Sequence, residues 1–137
     1  MDDLKLIEII YGLSDKCIVH RNKHLEKMFL SKAEFNGLIC LEKHSEITCK
    51  EFSERMGLSL SRGSRIIDRL HQKNFIKRTD SPSDRRCKLV QLSEKGKKAR
   101  NQIDKEKERC EKKLTSGIPQ KKLDRLKKEL LELMEKL

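Results

Sequence analysis

The sequence predicts a mainly α-helical fold with one small β-hairpin, and three observations lead there. Apolar residues recur at three- and four-residue steps over most of the chain. Helix-start signatures punctuate that rhythm at Ser31, Thr48 and Ser59. One stretch breaks it: residues 75–79 and 87–92 read as short β-like runs around a charged, turn-rich tip at 80–86.

A chain of 137 residues makes one domain, or one domain with helical extensions. At 35% hydrophobic and 40% charged it buries only a thin core, so a partner subunit is expected to supply part of the burial. No apolar run approaches the roughly 18 residues of a membrane span. The opening Met1-Asp2-Asp3, followed by an amphipathic pattern, does not read as a signal peptide. A cytoplasmic protein without membrane association is expected. Its cysteines, Cys17, Cys40, Cys49, Cys87 and Cys110, are odd in number, widely spaced and without C-x-x-C. Reduced thiols fit better than a disulfide framework or a zinc ribbon.

Taken in order, Leu4, Ile7, Tyr11, Ile18, Leu25 and Met28 place a first helix over 4–28. Leu30 and Ser31 interrupt it. Ser31 and Glu34 form an S-x-x-E capping box, so a second helix starts at Lys32 and buries Phe35, Leu38, Ile39 and Leu41. Thr48 and Glu51 repeat the box for a third helix, with Phe52 and Met56 inward and Gly57 as the residue that ends it. Ser59 caps a fourth helix packed through Ile66, Ile67 and Leu70, and Asn74 closes it in the left-handed conformation. Two helices around a short glycine turn carry the helix-turn-helix signature, and the hairpin that follows strengthens it. Ser93 starts a fifth helix reaching about Leu114. After Ser116 and Gly117, Pro119 fits the first turn of a last helix. Leu123, Leu126, Leu130, Leu133 or Met134, and Leu137 give that helix an apolar stripe. Both ends of the chain thus offer stripes for a helical dimer interface. The expected division is 1–30 for dimerisation, 31–92 for a DNA-binding lobe and 93–137 for dimerisation, as one intertwined domain.

Charge favours double-stranded DNA as the partner. The chain carries +11, and residues 60–100 hold 13 Lys/Arg against 4 Asp/Glu, a local excess of +9. Such a concentration serves to neutralise phosphates and release counterions. A helix of this size fits the major groove, and a basic hairpin tip reaches the neighbouring minor groove. Arg62 and Arg65 are expected to face the groove, bonding guanine or phosphate. Ser59, Ser61 and Ser64 are capping or phosphate-binding candidates at the positive helix end.

The runs EFSERMGLSLSRGSRIIDRLHQKNFIKR and DSPSDRRCKLVQLSEKG resemble the MarR family of winged helix-turn-helix regulators, with Asp84-Arg85-Arg86 and LSEKG the most specific pieces. The resemblance covers almost the whole chain. It implies a homodimer straddling a pseudo-palindromic operator, and repression relieved by a small molecule, a metal or oxidation. It places Arg86 in the minor groove, oriented by Asp84, with Lys77, Arg85 and Lys88 on phosphates. Gly63 stands where the family commonly has Val or another β-branched residue, which allows close approach of backbone to DNA. Arg62 replaces a small hydroxyl residue and should change base preference. Asn74 stands for the usual Gly.

Sensing is less legible. Cys17, His20 and His24 give a C-x2-H-x3-H spacing on the first helix, a weak metal motif beside the ordinary reading of solvated histidines. Cys17 and Cys87 are the thiol candidates for oxidation. A small-molecule effector would sit between the dimerisation helices and the DNA-binding lobe. No cofactor is expected. The chain holds no Gly-rich phosphate loop, G-x-S-x-G or H-E-x-x-H, so an enzyme is not expected. A nonspecific, architectural nucleic-acid-binding protein is the competing reading.

Overall fold

The structure, a computed structural model, describes residues 3–83 and 88–137. Among these the element order is α1 (Leu6–Met28), α2 (Lys32–Cys40), β1 (Ile47–Thr48), α3 (Cys49–Arg55), α4 (Leu60–Gln72), β2 (Ile76–Asp80), β3 (Lys88–Leu92), α5 (Glu94–Thr115) and α6 (Gln120–Met134). One compact unit runs to Asn101 and a second spans Gln102–Leu137. The mainly helical class with a small antiparallel sheet is as the sequence predicts.

Local chemistry sets the helix ends. α1 opens with the Lys5 amide donating to the Glu8 carboxylate at 2.8 Å. It stops at Phe29, whose φ of 55° turns the chain left-handed, and the Leu30 amide closes back on the Leu25 carbonyl at 3.1 Å. The Ser31 box is complete, with Glu34 N donating to Ser31 Oγ and Ser31 N donating to Glu34 Oε2, each at 3.2 Å. At α3 the Glu51 amide donates to Thr48 Oγ1 at 3.1 Å. Gly57 takes φ 66° and Asn74 takes φ 66°, so both expected stops are left-handed. Ser93 caps α5 by accepting from Gly96 N at 3.0 Å and donates to the Asn74 carbonyl. That bond ties the end of α4 to the start of α5. Pro119 is the N-cap of α6, one position earlier than the first-turn place expected for it.

The core of the first unit lies where α2, α3 and α4 meet the sheet. Phe52, Leu38, Leu41, Ile67, Leu70 and Val90 are fully enclosed, each side chain contributing about 1.5–3 kcal/mol by burial. Ile39 corrects its expectation, being 41% exposed. It sits one residue past Leu38, about 100° round the helix and off the inward side. Strand β1 was not expected. It pairs antiparallel with β3 through Ile47 and Val90, making a three-stranded sheet of order β1-β3-β2. At two residues it is too short to show alternation. In the hairpin, Ile76 faces Leu92, Arg78 faces Val90, and Asp80 faces Lys88.

One buried charge joins three helices. Glu34, 4% exposed, accepts from Lys73 Nζ at 2.6 Å, and Lys73 also donates to the Phe29 carbonyl at 2.7 Å. The end of α4 is thereby fastened to the end of α1 and the start of α2. Burial pushes the Glu34 carboxyl up. The hydrogen bonds from Lys73 and the Ser31 amide, with the charges of Lys73 and Arg69, outweigh it and hold the group below the ordinary carboxylate range. A lowered native value means the carboxylate stabilises the fold above its unfolded value. That contribution is lost as pH falls through the lowered native value. Urea midpoints measured from pH 7 to 3 should therefore drop on the acid side, and Glu34→Gln should flatten the drop while costing about 1–2 kcal/mol at pH 7. An unchanged acid limb in that variant would remove Glu34 from the account.

Candidate nucleic-acid interface

Helix α4 is held by one side and open on the other. Gly63, Ile66, Ile67 and Leu70 are buried, while Ser59, Leu60, Ser61, Arg62, Arg65, Asp68 and Arg69 are exposed and Ser64 is half-buried. The Arg62 amide donates to Ser59 Oγ at 3.3 Å, and Ser59 Oγ lies 3.4 Å from Ser61 Oγ. Ser59 is therefore engaged as a cap, and the hydroxyl of Ser61 stands at the open, positive end of the helix. Among the described residues Arg62 and Arg65 have no ion-pair partner, which leaves both guanidiniums available to a ligand. They lie three apart, so they share a side of the helix with Arg69.

The reason given for Gly63 needs correction. A Cβ at this position would lie 1.9 Å from Ser53 Oγ, 2.7 Å from Ser53 Cβ and 3.1 Å from Ser53 Cα. The close approach is therefore between α4 and α3. Ser53, 2% exposed, keeps its hydroxyl satisfied by donating to the Cys49 carbonyl at 2.8 Å. Two small residues let the helix-turn-helix pair close.

The hairpin supplies the second cationic element. Lys77 is exposed on β2. Lys88, another phosphate candidate, is ion-paired with Asp80 directly across the hairpin. Asp84, Arg85, Arg86 and Cys87 lie outside the described residues. Arg78 was missed by the sequence reading. Its Nη1 donates to Asp68 Oδ1 on α4 at 2.5 Å, and its Nη2 lies 3.4 Å from His71 Nδ1. The available signal was parity: Arg78 is two residues from the buried Ile76, hence on the same side of the strand.

Comparison with known proteins places this arrangement. The MarR family model matches residues 30–88, which hold α2 to α4, β2 and the first residue of β3. The chain belongs to the MarR family. The transcriptional repressor MprA of Escherichia coli is 28% identical over 137 residues, covering 98% of this chain and 78% of MprA. The transcriptional repressor MdtR of Bacillus subtilis is 32% identical over 96 residues, 70% of this chain and 61% of MdtR. The fold is also that of the reduced form of E. coli MarR, at TM-score 0.74 and 23% identity, covering 95% of this chain and 96% of that one. As a MarR-family member the protein is a DNA-binding transcriptional regulator with a winged helix, and the exposed side of α4 is its candidate groove face.

The sensing candidates of this MarR-family chain are less well assembled. His20 and His24 meet edge to face, with ring centroids 5.2 Å apart. Cys17 is exposed, and among the described residues it is not part of a group of three that could hold a metal. Burial pushes the Cys40 thiol up, and the charges of Arg55 and Arg100 only partly offset it. Cys40 thus stays a protonated, weakly nucleophilic thiol at neutral pH. No described helix is long and apolar enough to cross a membrane.

Proposed function

We propose that this protein is a sequence-specific transcriptional repressor that binds a pseudo-palindromic operator as a homodimer and is released by a small-molecule or other chemical signal. The carrying observation is the exposed cationic side of α4, with Arg62 and Arg65 unpaired among the described residues, at the open end of a capped helix. A guanidinium there can bond guanine through two donors. Repression is supported by the relatives named as repressors, MprA and MdtR. Homodimerisation is supported by apolar side chains left in water on each unit taken alone. α1 exposes Leu6, Ile7, Ile9, Tyr11 and Leu13, and α6 exposes Leu126, Leu130, Leu131 and Met134. Helices so apolar on an outer side bury it in an assembly. Residues 1–30 and 93–137 would serve dimerisation, and 31–92 DNA binding. A two-fold dimer sets its recognition helices about 34 Å apart to meet successive major grooves, and an effector that favours another spacing lowers DNA affinity. The protein would work in the cytoplasm.

Fluorescence anisotropy on the promoter region of its own gene, with nonspecific duplex as competitor and a salt series, tests this reading. Specific binding should survive the competitor. Arg65→Ala should weaken operator binding by about 1–3 kcal/mol and relax the preference at one base pair. Equal loss on operator and nonspecific duplex would make Arg65 a phosphate contact. Wild-type affinity equal on both DNAs would favour the architectural, nonspecific protein. Metals, oxidants and phenolic ligands can then be screened for release in the same assay.

A further inference from the structure

The groove-facing side of α4 contains an acid. Asp68 follows Arg65 by three residues, so the two lie on one side of the helix, and the Asp68 side chain is 52% exposed. A bare carboxylate there repels the phosphates that the neighbouring arginines attract. At about 6–8 Å in partly aqueous surroundings, that repulsion is enough to weaken binding on the order of tenfold.

Arg78 answers this charge from the wing. On β2 it shares the inward side with Ile76, which is 3% exposed and part of the core. The same side of the hairpin passes from the apolar pair Ile76 and Leu92, through Arg78 and Val90, to the charged pair Asp80 and Lys88. Arg78 stands where the core ends and, while still exposed, reaches back to α4. Its Nη1 bonds Asp68 Oδ1 at 2.5 Å. An arginine has only donors, so its 3.4 Å approach to His71 Nδ1 makes that nitrogen an acceptor. One guanidinium thus bridges two side chains a turn apart on the recognition helix.

We propose that Arg78 is a positioning residue that acts on DNA through Asp68, neutralising its carboxylate and holding it to the wing, clear of the phosphates. This rests on the DNA-binding reading of α4. It differs from a phosphate contact by Arg78 itself, which would compete with the bond to Asp68.

A double-mutant cycle separates the two roles. Affinities of wild type, R78M, D68N and the D68N/R78M double variant are measured on operator and nonspecific duplex across a salt series, with helical content and urea midpoints recorded. R78M should weaken binding about tenfold or more and leave the salt slope near wild type. D68N, which needs no neutralisation, should bind two- to threefold more tightly than wild type. The double variant should regain most of the loss caused by R78M. An R78M loss that persists in the D68N background, with the salt slope reduced by about 0.9, overturns the proposal and makes Arg78 a phosphate contact. So does full binding by R78M. If R78M fails to fold, D68N decides alone: weakened binding by D68N overturns the proposal. A wild type that binds both DNAs equally fails the repressor reading, yet the cycle still reports on Arg78 with either duplex.

Discussion

Replacing Arg100 by methionine should lower unfolding stability by about 2–3 kcal/mol, the largest loss expected from any single hydrogen-bonding side chain here. Helix α2 ends without a glycine: its C-cap is Leu41 in extended conformation. The last carbonyls of a helix need donors from elsewhere. Arg100 on α5 brings Nη1 to the carbonyls of Leu38 at 3.1 Å, Leu41 at 2.9 Å and Ile39. Arg55 on α3 donates to the remaining one, Cys40, at 3.2 Å. Two cations thus finish the negative end of one helix. Arg100 Nε is buried without a partner among the described residues, so desolvation offsets part of the gain. Methionine keeps the apolar stem and removes the donors, so the loss reports the cap and not the packing. Lysine should recover about half, since it keeps the charge without the planar fork. Urea unfolding gives the energies, and hydrogen exchange should show the last turn of α2 opening first. An R100M variant as stable as wild type would show that water serves those carbonyls equally well.

This cap also shows what the sequence could reveal. Ser31 with Glu34, Thr48 with Glu51, and Ser59 with the Arg62 amide each act across three residues, so spacing alone exposes them. Asn74 and Gly57 were legible for the same reason: a helix stop has a local conformation and a short list of residues that accept it. Arg100 reaches carbonyls 59 to 62 residues away, and Lys73 reaches Glu34 from 39 away. Contacts at that range leave no periodic trace, and on paper both residues are merely part of a basic surface.

The candidate site divides along the same line. The exposed side of α4 follows from the 3.6-residue period, because Ile66, Ile67 and Leu70 fix which side is inward. Its cationic character could therefore be read directly. The pairing of Arg78 with Asp68, and of Lys88 with Asp80, depends on how the hairpin docks and on its register. Charge totals hide such pairing. Of the positive charges assigned to the wing, Lys77 stays open while Lys88 is engaged, a distinction that composition does not make.

Gly63 is the position where the two kinds of information conflict, and it yields the second large effect. Gly63→Val should destabilise the protein by about 3 kcal/mol, at the upper end of overpacking costs. The first added carbon would already sit 1.9 Å from Ser53 Oγ. Rotating that hydroxyl away breaks its bond to the Cys49 carbonyl and still leaves Ser53 Cβ at 2.7 Å and Cα at 3.1 Å. Relief therefore requires α3 and α4 to move apart, which loosens a core in which Phe52 of α3 and Ile67 of α4 are fully buried. Gly63→Ala sharpens the test because two effects oppose. Alanine favours helix over glycine by about 1 kcal/mol, against an overpacking cost of about 1–3 kcal/mol. If close approach to DNA were the reason for the glycine, Gly63→Ala would raise stability and lower only DNA affinity. If packing on Ser53 is the reason, stability falls, and Ser53→Gly in the same chain restores much of it by removing the atoms struck first. Urea midpoints of the two single variants and the double variant decide between these. A Gly63→Ala protein more stable than wild type would return the glycine to the groove.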